Sequence, residues 1–321
     1  MIIESFAKNI DWACYPKVLH QGETTTWTLT PENACWLLAL AYVRDISQSL
    51  TWQRLKNSQR PVARERLKFL NNYFERFEKE RPKDTPPIEI SRLSFTEWKY
   101  SDDTVLRTQH VVIHTGKMEE RPGAIVDFAN KQVHIGAIIP SMTQEEVLFS
   151  TASECFIALL CCPKELLDDE VVIMKNIWQH ATYSGYLDTC KFTGSCSEIV
   201  DVIVMDAVTE NQYYAFERDL KKAYMGFANV DSDSITTGKW GCGVFGGDYC
   251  LKFVQQVMAA QMAGKKLYYS SFTNDREFEH YAQLMLCIDA KKPTFGWLWQ
   301  VLQNFKGQRC YNYLMEQLDT L

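Results

Sequence analysis

Short apolar runs alternate with helical stretches along most of this chain after residue 96. The runs GAIVDFAN, EIVDVIVMDAV and KKLYYSSF are rich in β-branched and aromatic residues, as buried strands are. Between them lie EEVLFSTASECFIALLC, RDLKKAYMGF and DYCLKFVQQVMAAQMAG, in which apolar residues recur at helical spacing. The alternation predicts an α/β fold with a mixed sheet flanked by helices.

The N-terminal part of the chain has a different pattern, which predicts a helical region. One helix is expected to begin with Thr30 as its N-cap and Pro31 at its first position. In a second, ARERLKFLNNYFERFEKERPKD, charges such as Arg66 lie between apolar residues and are interpreted as a solvated face. We therefore expect two domains, a helical region over residues 1–95 and an α/β domain over residues 96–321.

Composition and charge exclude several classes of partner. The chain is 46% hydrophobic and 13% aromatic, which is typical of a folded globular protein. Its net charge of −6 provides no general basic surface, so direct binding to nucleic acid is not expected. The longest apolar run, ACWLLALAYV, is shorter than the roughly 20 residues that cross a bilayer. We expect no membrane interaction, and a monomer.

The cysteines and histidines do not indicate a metal site. The chain has 11 cysteines but no CxxC pair, so we expect reduced, mostly buried thiols and a nuclear or cytoplasmic location. His110 and His114 lie in the alternating run RTQHVVIHTG and are interpreted as partly exposed strand residues.

A glycine pattern near residue 240 has two possible interpretations. WGCGVFGGD contains Gly241-x-Gly243-x-x-Gly246, the spacing of a dinucleotide-binding loop. That function requires a strand before the loop and an acid about 20 residues after it. Here the polar run VDSDSITTGK comes first, and Lys265-Lys266 stand where the acid belongs. We expect no NAD or other cofactor, although the loop's N–H groups can still bind an anion such as a diphosphate.

The run Gln144-Glu145-Glu146 also has two interpretations. Acidic residues are common at the start of a helix, where they interact favourably with the positive end of its dipole. Alternatively, two neighbouring carboxylates point about 100° apart on a helix. One could then hold a substrate hydroxyl while the other exchanges a proton, as in glycoside hydrolysis.

Aromatic residues in ATYSGYLD and YYSSF complete the candidates. Tyr183, Tyr186 and Phe272 fit an apolar core. An aromatic residue at the end of a strand can instead stack on a purine.

Several of these motifs together resemble the poly(ADP-ribose) glycohydrolase family. The resemblance is carried by VDFAN, QEE thirteen residues later, YSGY, LKKAYMGF, TTGKWGCGVFGGD and YYSSF, in that order. It implies a helical accessory region fused to a macrodomain-type catalytic domain. The implied activity is hydrolysis of ribose–ribose bonds, and the implied partners are poly(ADP-ribose) or ADP-ribosylated proteins.

The resemblance also implies a role for individual residues. Glu146 would be the catalytic acid and later the base, and Glu145 would bind ribose hydroxyls. The substrate-binding positions carried over are Asp127, Asn130, Gly136, Gln144, Tyr186, Lys239, Gly241, Gly243, Phe245 and Phe272. Phe272 would stack on the adenine, and the loop that contains Lys239 would wrap the diphosphate. Because the acid must be protonated near neutral pH, we expect burial to raise the pKa of Glu146.

Four positions depart from the resembled pattern, and one of them is a later loop glycine of the family, whose place is taken by Ser141 or its neighbours. The family has Gly-Gly-Gly where this chain has His134-Ile135-Gly136, and it commonly has Asn where this chain has Lys239. A β-branched residue such as Ile135 is expected to take a negative φ and, with His134, to fill space beside the ligand. His134 could instead hydrogen-bond a diphosphate as a cation. The alternatives to an active glycohydrolase are an inactive ADP-ribose-binding module and an enzyme for another ADP-ribosyl or nucleotide substrate.

Overall fold

The computed structural model describes residues 2–97, 101–208, 215–306 and 309–321, with the backbone alone for Cys14 and Ala215. The strands are β1 (Thr25–Leu29), β2 (Ile88–Ser94), β3 (Val111–His114), β4 (Ala124–Ala129), β5 (Glu170–Ser184), β6 (Lys191–Asp206), β7 (Ser234–Thr237) and β8 (Lys266–Ser270). The helices are α1 (Ile2–Lys8), α2 (Pro31–Val43), α3 (Gln53–Lys56), α4 (Pro61–Glu80), α5 (Gln144–Thr151), α6 (Ala158–Cys161), α7 (Ala215–Ala228), α8 (Tyr249–Met262), α9 (Asp275–Lys291), α10 (Phe295–Gln303) and α11 (Cys310–Asp319).

The chain divides into two compact units that are discontinuous in sequence. The first unit consists of Met1–Leu93, Ala129–Leu167 and Val172–Val204. The second consists of Ser94–Phe128, Asp168–Val171 and Met205–Leu321. Compactness and function need not divide a chain at the same place, so the predicted domains 1–95 and 96–321 stay a prediction.

The first unit contains strands in the order β1-β2-β5-β6. β1 pairs antiparallel with β2, and β5 pairs antiparallel with β6. The N-terminal region is therefore not wholly helical, since β1 and β2 come from it. Strand β5 was not predicted from the sequence either. Its pairing with β6 shifts register near Asn176, which has a φ of 61°, and this breaks the alternation by which strands are recognised.

Two long helices of the first unit form as expected. In α2 the Thr30 hydroxyl accepts a hydrogen bond from the Asn33 N–H at 3.2 Å, and Pro31 occupies the first helical position. Helix α4 begins at Pro61 and buries an apolar stripe that includes Phe69, Leu70, Tyr73, Phe74 and Phe77. Arg66 is buried on the same stripe, so its interpretation as part of a solvated face was wrong.

The second unit contains strands in the order β4-β7-β8-β3, with β7 parallel to β4 and to β8, and β3 parallel to β8. Helices α7 to α11 belong to this unit. Antiparallel pairs in one unit and parallel pairs in the other confirm the predicted α/β class with a mixed sheet. His114 is buried at the end of β3, and not partly exposed as the sequence suggested.

The cysteines agree with the expectation of free thiols. None of the ten cysteines whose side chains the structure describes forms a disulfide, and most of them are buried. Among the described residues, no helix combines the length and the apolar character needed to cross a membrane.

Candidate active site

The Gln144-Glu145-Glu146 run forms the first turn of α5 in the first unit, after Thr143 as the N-cap. Oε2 of Glu146 accepts a hydrogen bond from the backbone N–H of Thr143 at 2.8 Å, and the Thr143 hydroxyl donates to the same oxygen. This capping contact satisfies a polar group that the helix itself leaves unpaired. The run therefore has the structural role expected of acidic residues at a helix start, and that role leaves its chemical role open.

Both carboxylates are nearly inaccessible to solvent. Glu145 and Glu146 are each 4% exposed. Oε1 of Glu145 accepts a hydrogen bond from the backbone N–H of His134 across 2.6 Å. Since a buried carboxylate is costly unless donors or cations compensate it, the surroundings of these two groups determine their chemistry.

The segment that supplies this N–H has an unusual backbone. His134, Ile135 and Gly136 have φ values of 52°, 51° and 70°. The expectation of a negative φ at Ile135 was therefore wrong. A left-handed conformation costs roughly 1–2 kcal/mol for each residue with a Cβ. Such strain persists only where surrounding contacts determine the conformation strongly.

The His134 side chain provides such contacts. It is fully buried, and its ring lies 5.0 Å from the ring of Phe149 and 5.5 Å from that of Phe156. Nδ1 of the ring lies 3.2 Å from the carbonyl oxygen of Ala137. The expectation that the His134 side chain fills space beside a ligand was wrong, because it points into the core of the first unit. Ile135, by contrast, is 40% exposed.

Arg66 on α4 contacts the other side of the His134 ring. Its Nη2 lies 3.0 Å from Nε2 of His134, and because a guanidinium can only donate, Nε2 is the acceptor. Arg66 also donates to the carbonyl of Ile139 and, across 3.3 Å, to the hydroxyl of Ser150 in α5. One buried cation thus joins α4, the left-handed segment and α5.

The sequence contained a signal for this role of Arg66. Val62, Ala63, Phe69 and Leu70 are all buried on α4, and position 66 lies between them at a spacing of three or four residues. A charge at such a position faces the core, where it needs partners.

The pKa shifts around the glutamates differ from the expectation. Burial raises the pKa of Glu146, but His134, the Thr143 hydrogen bonds and Arg66 outweigh it, so the net pKa is lowered. The expected rise was therefore wrong, and the carboxyl is ionised at neutral pH. Burial and the Arg66 charge lower the pKa of His134 to about 4, so His134 is neutral there. The His134 ring is also fully buried against Phe149 and Phe156, which argues against a cationic role toward a diphosphate.

Three other candidates lie in the same unit. Tyr186 is 41% exposed. The pKa of its hydroxyl is raised, first by burial and then by the Glu146 charge, while a hydrogen bond to the Gln144 backbone acts in the opposite direction. Tyr186 and Gln144 thus lie together beside Glu146. Asn130 is half-buried just after β4, and its Oδ1 accepts from the Gln132 N–H at 3.4 Å.

The glycine loop lies in the second unit. A short strand, β7, does precede it, so the interpretation of VDSDSITTGK as lacking a strand was wrong. At Gly241, where φ is 74°, an added Cβ would lie 2.5 Å from the Cβ of Ala207. Only glycine fits this position without displacement of its neighbours. Gly243 has open space around it.

Helix α8 after the loop does not offer its N-terminus to an anion. The Asp248 carboxylate accepts hydrogen bonds from the N–H groups of Cys250 at 2.9 Å and Leu251 at 3.1 Å. Its second oxygen accepts from the N–H of Cys310 at 3.0 Å. A diphosphate at this loop would therefore bind the loop's own N–H groups.

The remaining candidates of the second unit have differing surroundings. Lys239 forms an ion pair with Glu277 at 3.0 Å, and Phe245 is half-buried. Phe272, just beyond β8, has a φ of 60° and is 44% exposed. Asp127 is fully buried on β4. An exposed ring such as Phe272 is available for stacking, whereas Asp127 is inaccessible in this structure.

A buried lysine that the sequence analysis did not single out supports the loop from beneath. The ammonium group of Lys252 lies 4.8 Å from the ring centre of Trp240 and pairs with Asp219. A Cβ added to Gly241 would lie 3.2 Å from Cε of Lys252, and a Cβ added to Gly247 would lie 3.0 Å from the same atom. Arg218 and Lys222 belong to the same buried group of charges and both pair with Asp206. Lys222 comes from the LKKAYMGF run, which thereby has a structural explanation.

Across the described parts of the chain, no group of three or more His, Cys, Asp and Glu side chains is arranged to hold a metal ion.

Comparison with known proteins gives consistent results. The family model described as "Poly (ADP-ribose) glycohydrolase (PARG), Macro domain fold" matches residues 95–279, which is more than half of the chain. Poly(ADP-ribose) glycohydrolase 1 of Caenorhabditis elegans is 26% identical over 321 residues, covering 88% of this chain and 41% of the relative. Poly(ADP-ribose) glycohydrolase 2 of the same organism is 25% identical over 279 residues, covering 76% of this chain and 57% of the relative.

The chain thus spans about half the length of these curated relatives. Among solved structures, poly(ADP-ribose) glycohydrolase from Deinococcus radiodurans in complex with ADP-ribose has a TM-score of 0.40 and 15% identity. That similarity covers 58% of this chain and 86% of the solved one.

Proposed function

Because the chain belongs to the poly(ADP-ribose) glycohydrolase family, we propose that it hydrolyses the ribose–ribose O-glycosidic bonds of poly(ADP-ribose) and releases ADP-ribose. The observation that carries the proposal is the pair Glu145 and Glu146, buried side by side on the first turn of α5 with distinct hydrogen-bond partners. Two carboxylates with different surroundings are what an acid and a positioning group need.

The proposed reaction uses Glu146 twice. Its protonated carboxyl gives a proton to the departing ribose oxygen while the bond from that oxygen to the anomeric carbon breaks. The resulting carboxylate then takes a proton from water, whose oxygen forms the new bond to the anomeric carbon. Glu145, held by the His134 N–H, accepts hydrogen bonds from ribose hydroxyls and orients the sugar.

The lowered pKa of Glu146 restricts this mechanism. The carboxyl is ionised in the free protein, so it has to gain a proton before or during substrate binding. We propose that the half-exposed Tyr186 covers the bound ribose and excludes water, since removal of water disfavours the carboxylate and favours the acid.

The adenine and the diphosphate of the substrate are bound by residues other than the two glutamates. Phe272 stacks on the adenine, because its ring is 44% exposed just beyond β8. The loop N–H groups between Lys239 and Gly247 bind the diphosphate, since Asp248 already occupies those of helix α8. The partners are poly(ADP-ribose) and ADP-ribosylated proteins.

One observation favours a second candidate, an ADP-ribose-binding module without turnover. A carboxylate that stays ionised cannot act as a general acid, and His134, Thr143 and Arg66 all favour the ionised form of Glu146. Such a module would bind ADP-ribose through the same residues, but Glu146 would lack the proton needed for hydrolysis.

The deciding experiment incubates the protein with poly(ADP-ribose) and measures free ADP-ribose by chromatography. The wild-type protein is expected to release ADP-ribose, and Glu146→Gln to reduce the rate by about 10² to 10⁴. Glu316→Gln, which changes an exposed carboxylate on α11, serves as the matched control and should behave as wild type. Release by Glu146→Gln at the wild-type rate would contradict the assignment, and binding of ADP-ribose without release would favour the second candidate.

A further inference from the structure

The left-handed segment His134-Ile135-Gly136 and the glutamate pair are connected through one side chain of α4. Arg66 is 2% exposed and contacts His134, Ile139 and Ser150. His134 and Ile139 belong to the segment before α5, and Ser150 belongs to α5 itself. These contacts hold the segment at a fixed distance from the helix that carries both glutamates.

His134 carries this restraint to the carboxylates. Its ring is fixed by Arg66 on Nε2, by the Ala137 carbonyl near Nδ1 and by Phe149 and Phe156. Its backbone N–H, on the other side of the same residue, donates to Glu145. A left-handed conformation is costly for a residue with a Cβ, and these ring contacts offset that cost at His134. Loss of the ring contacts would therefore let the φ of His134 relax and move the N–H away from Glu145.

We infer that Arg66 is a positioning residue for ribose recognition, which acts by fixing His134 so that its backbone N–H orients the Glu145 carboxylate. Arg66 touches no substrate in this scheme. The inference rests on the ribose-binding role proposed for Glu145, but it does not depend on hydrolysis.

A change at Arg66 is therefore expected to affect recognition of the terminal ribose and not of the rest of the ligand. ADP and ADP-ribose share the adenosine and the diphosphate, and only ADP-ribose has the terminal ribose. A change at Arg66 should thus weaken ADP-ribose binding and leave ADP binding as it is. A residue that only stabilised the fold would affect both ligands alike.

The test is calorimetric titration of ADP and of ADP-ribose into wild type, Arg66→Met and Arg64→Met. Arg64 lies on the exposed side of the same helix and provides the matched control. In the wild-type protein ADP-ribose is expected to bind about tenfold more tightly than ADP, the scale of one hydrogen bond to a charged group. Arg66→Met should remove this preference with ADP affinity unchanged, and Arg64→Met should keep it.

A double-mutant cycle shows whether the effect passes through His134. The His134→Gly change removes the ring that Arg66 contacts and provides a residue that accepts a positive φ. In that background Arg66→Met should no longer alter the preference for ADP-ribose. If Arg66→Met is too unstable to titrate, Arg66→Lys, which keeps the charge but not the fork of donors, replaces it and should also reduce the preference.

Four results would overturn the inference. The first is a wild-type protein that binds ADP and ADP-ribose equally tightly, or binds neither. The second is an Arg66→Met variant that keeps the preference for ADP-ribose, and the third is one in which the affinities for both ligands fall equally. The fourth is an effect of Arg66→Met on this preference that is unchanged in the His134→Gly background. Hydrolysis of poly(ADP-ribose), measured in parallel, reports on the proposed function separately. If the protein prefers ADP-ribose through Arg66 but releases no ADP-ribose from the polymer, the inference about Arg66 stands and the proposed hydrolase activity is refuted.

Discussion

The backbone N–H of His134 donates to Oε1 of Glu145 across 2.6 Å, from a residue whose φ is 52°. A carboxylate at the start of α5 is thus held by a segment in a costly conformation. Because the neighbouring Ile135 has the same conformation without a buried side chain, strain and anchoring can be separated by mutation.

Ile135→Gly should leave the unfolding free energy within about 1 kcal/mol of wild type, or raise it. Glycine relieves a left-handed strain of roughly 1–2 kcal/mol but adds about 0.5–1 kcal/mol of unfolded-state entropy. Denaturation in urea measures the difference. Leu286→Gly, at an exposed position inside α9, is the control and should cost about 1 kcal/mol, since nothing there favours glycine. A loss above about 2 kcal/mol at Ile135 would show that its side chain contributes packing that outweighs the strain.

The stability of the protein should rise with pH between about 4 and 6.5 in part because of His134. Its folded-state pKa, lowered to about 4 by burial and by Arg66, lies below the ordinary value of 6.5. The unfolded chain therefore binds more protons in this window, so the stability from the neutral ring is complete above pH 6.5 and is lost as the pH falls toward 4.

One proton contributes a slope of at most about 1.4 kcal/mol per pH unit. Urea unfolding at a series of pH values should show a smaller slope for His134→Gln than for wild type. His180, whose pKa burial lowers to about 3, is unchanged in both proteins and cancels in the comparison. Parallel curves would mean that His134 is protonated to the same extent in the folded and unfolded states.

The pH profile of hydrolysis should follow the protonation of Glu146. The pKa of its carboxyl is lowered in the free protein, and kcat/KM reports the groups of the free enzyme. The protonated fraction, and with it kcat/KM, should fall about tenfold per unit as the pH rises from 6 to 8. Initial rates of ADP-ribose release provide the measurement, with Glu316→Gln as a control that should give the same profile. A rate that does not change over this range would argue against Glu146 as the proton donor.

Phe272→Ala should weaken ADP-ribose binding by about 1–3 kcal/mol, the scale for losing one base–aromatic stack. The ring is 44% exposed, so its removal should have little effect on the melting temperature. Calorimetry and thermal denaturation on the same sample separate the two effects. Leu286→Ala removes another exposed apolar side chain and should leave affinity unchanged. A lower melting temperature with unaltered affinity would assign Phe272 to packing.

Local patterns were sufficient to predict the α/β class, helices α2, α4 and α8, and the position of Glu145 and Glu146 at a helix start. These depend on nearest neighbours along the chain, such as the Thr30 cap or the apolar stripe of α4. Strand β5 was missed because bulges near Asn176 interrupt its alternation, and β1 because it lies in a region dominated by helical patterns.

The surroundings of the glutamates were not predictable in this way. The positive φ of Ile135 opposes the preference of a β-branched residue, and it follows from contacts of His134 with residues distant in sequence. The pKa of Glu146 was expected to rise because burial alone was considered. Its direction is set by His134, by the hydrogen bonds of Thr143 and by Arg66, which lies 80 positions earlier in the chain.

The position of Arg66 on α4 has a consequence for any attempt to produce the catalytic part alone. The family match begins at residue 95, and a shortened protein starting there would retain α5 but lack α4. Such a truncation would remove the cation that compensates Glu145 and Glu146 and would uncover the apolar residues of α5 that now pack inside the first unit. The N-terminal helices are therefore a structural part of the candidate active site, and expression of the matched segment by itself should yield aggregated protein.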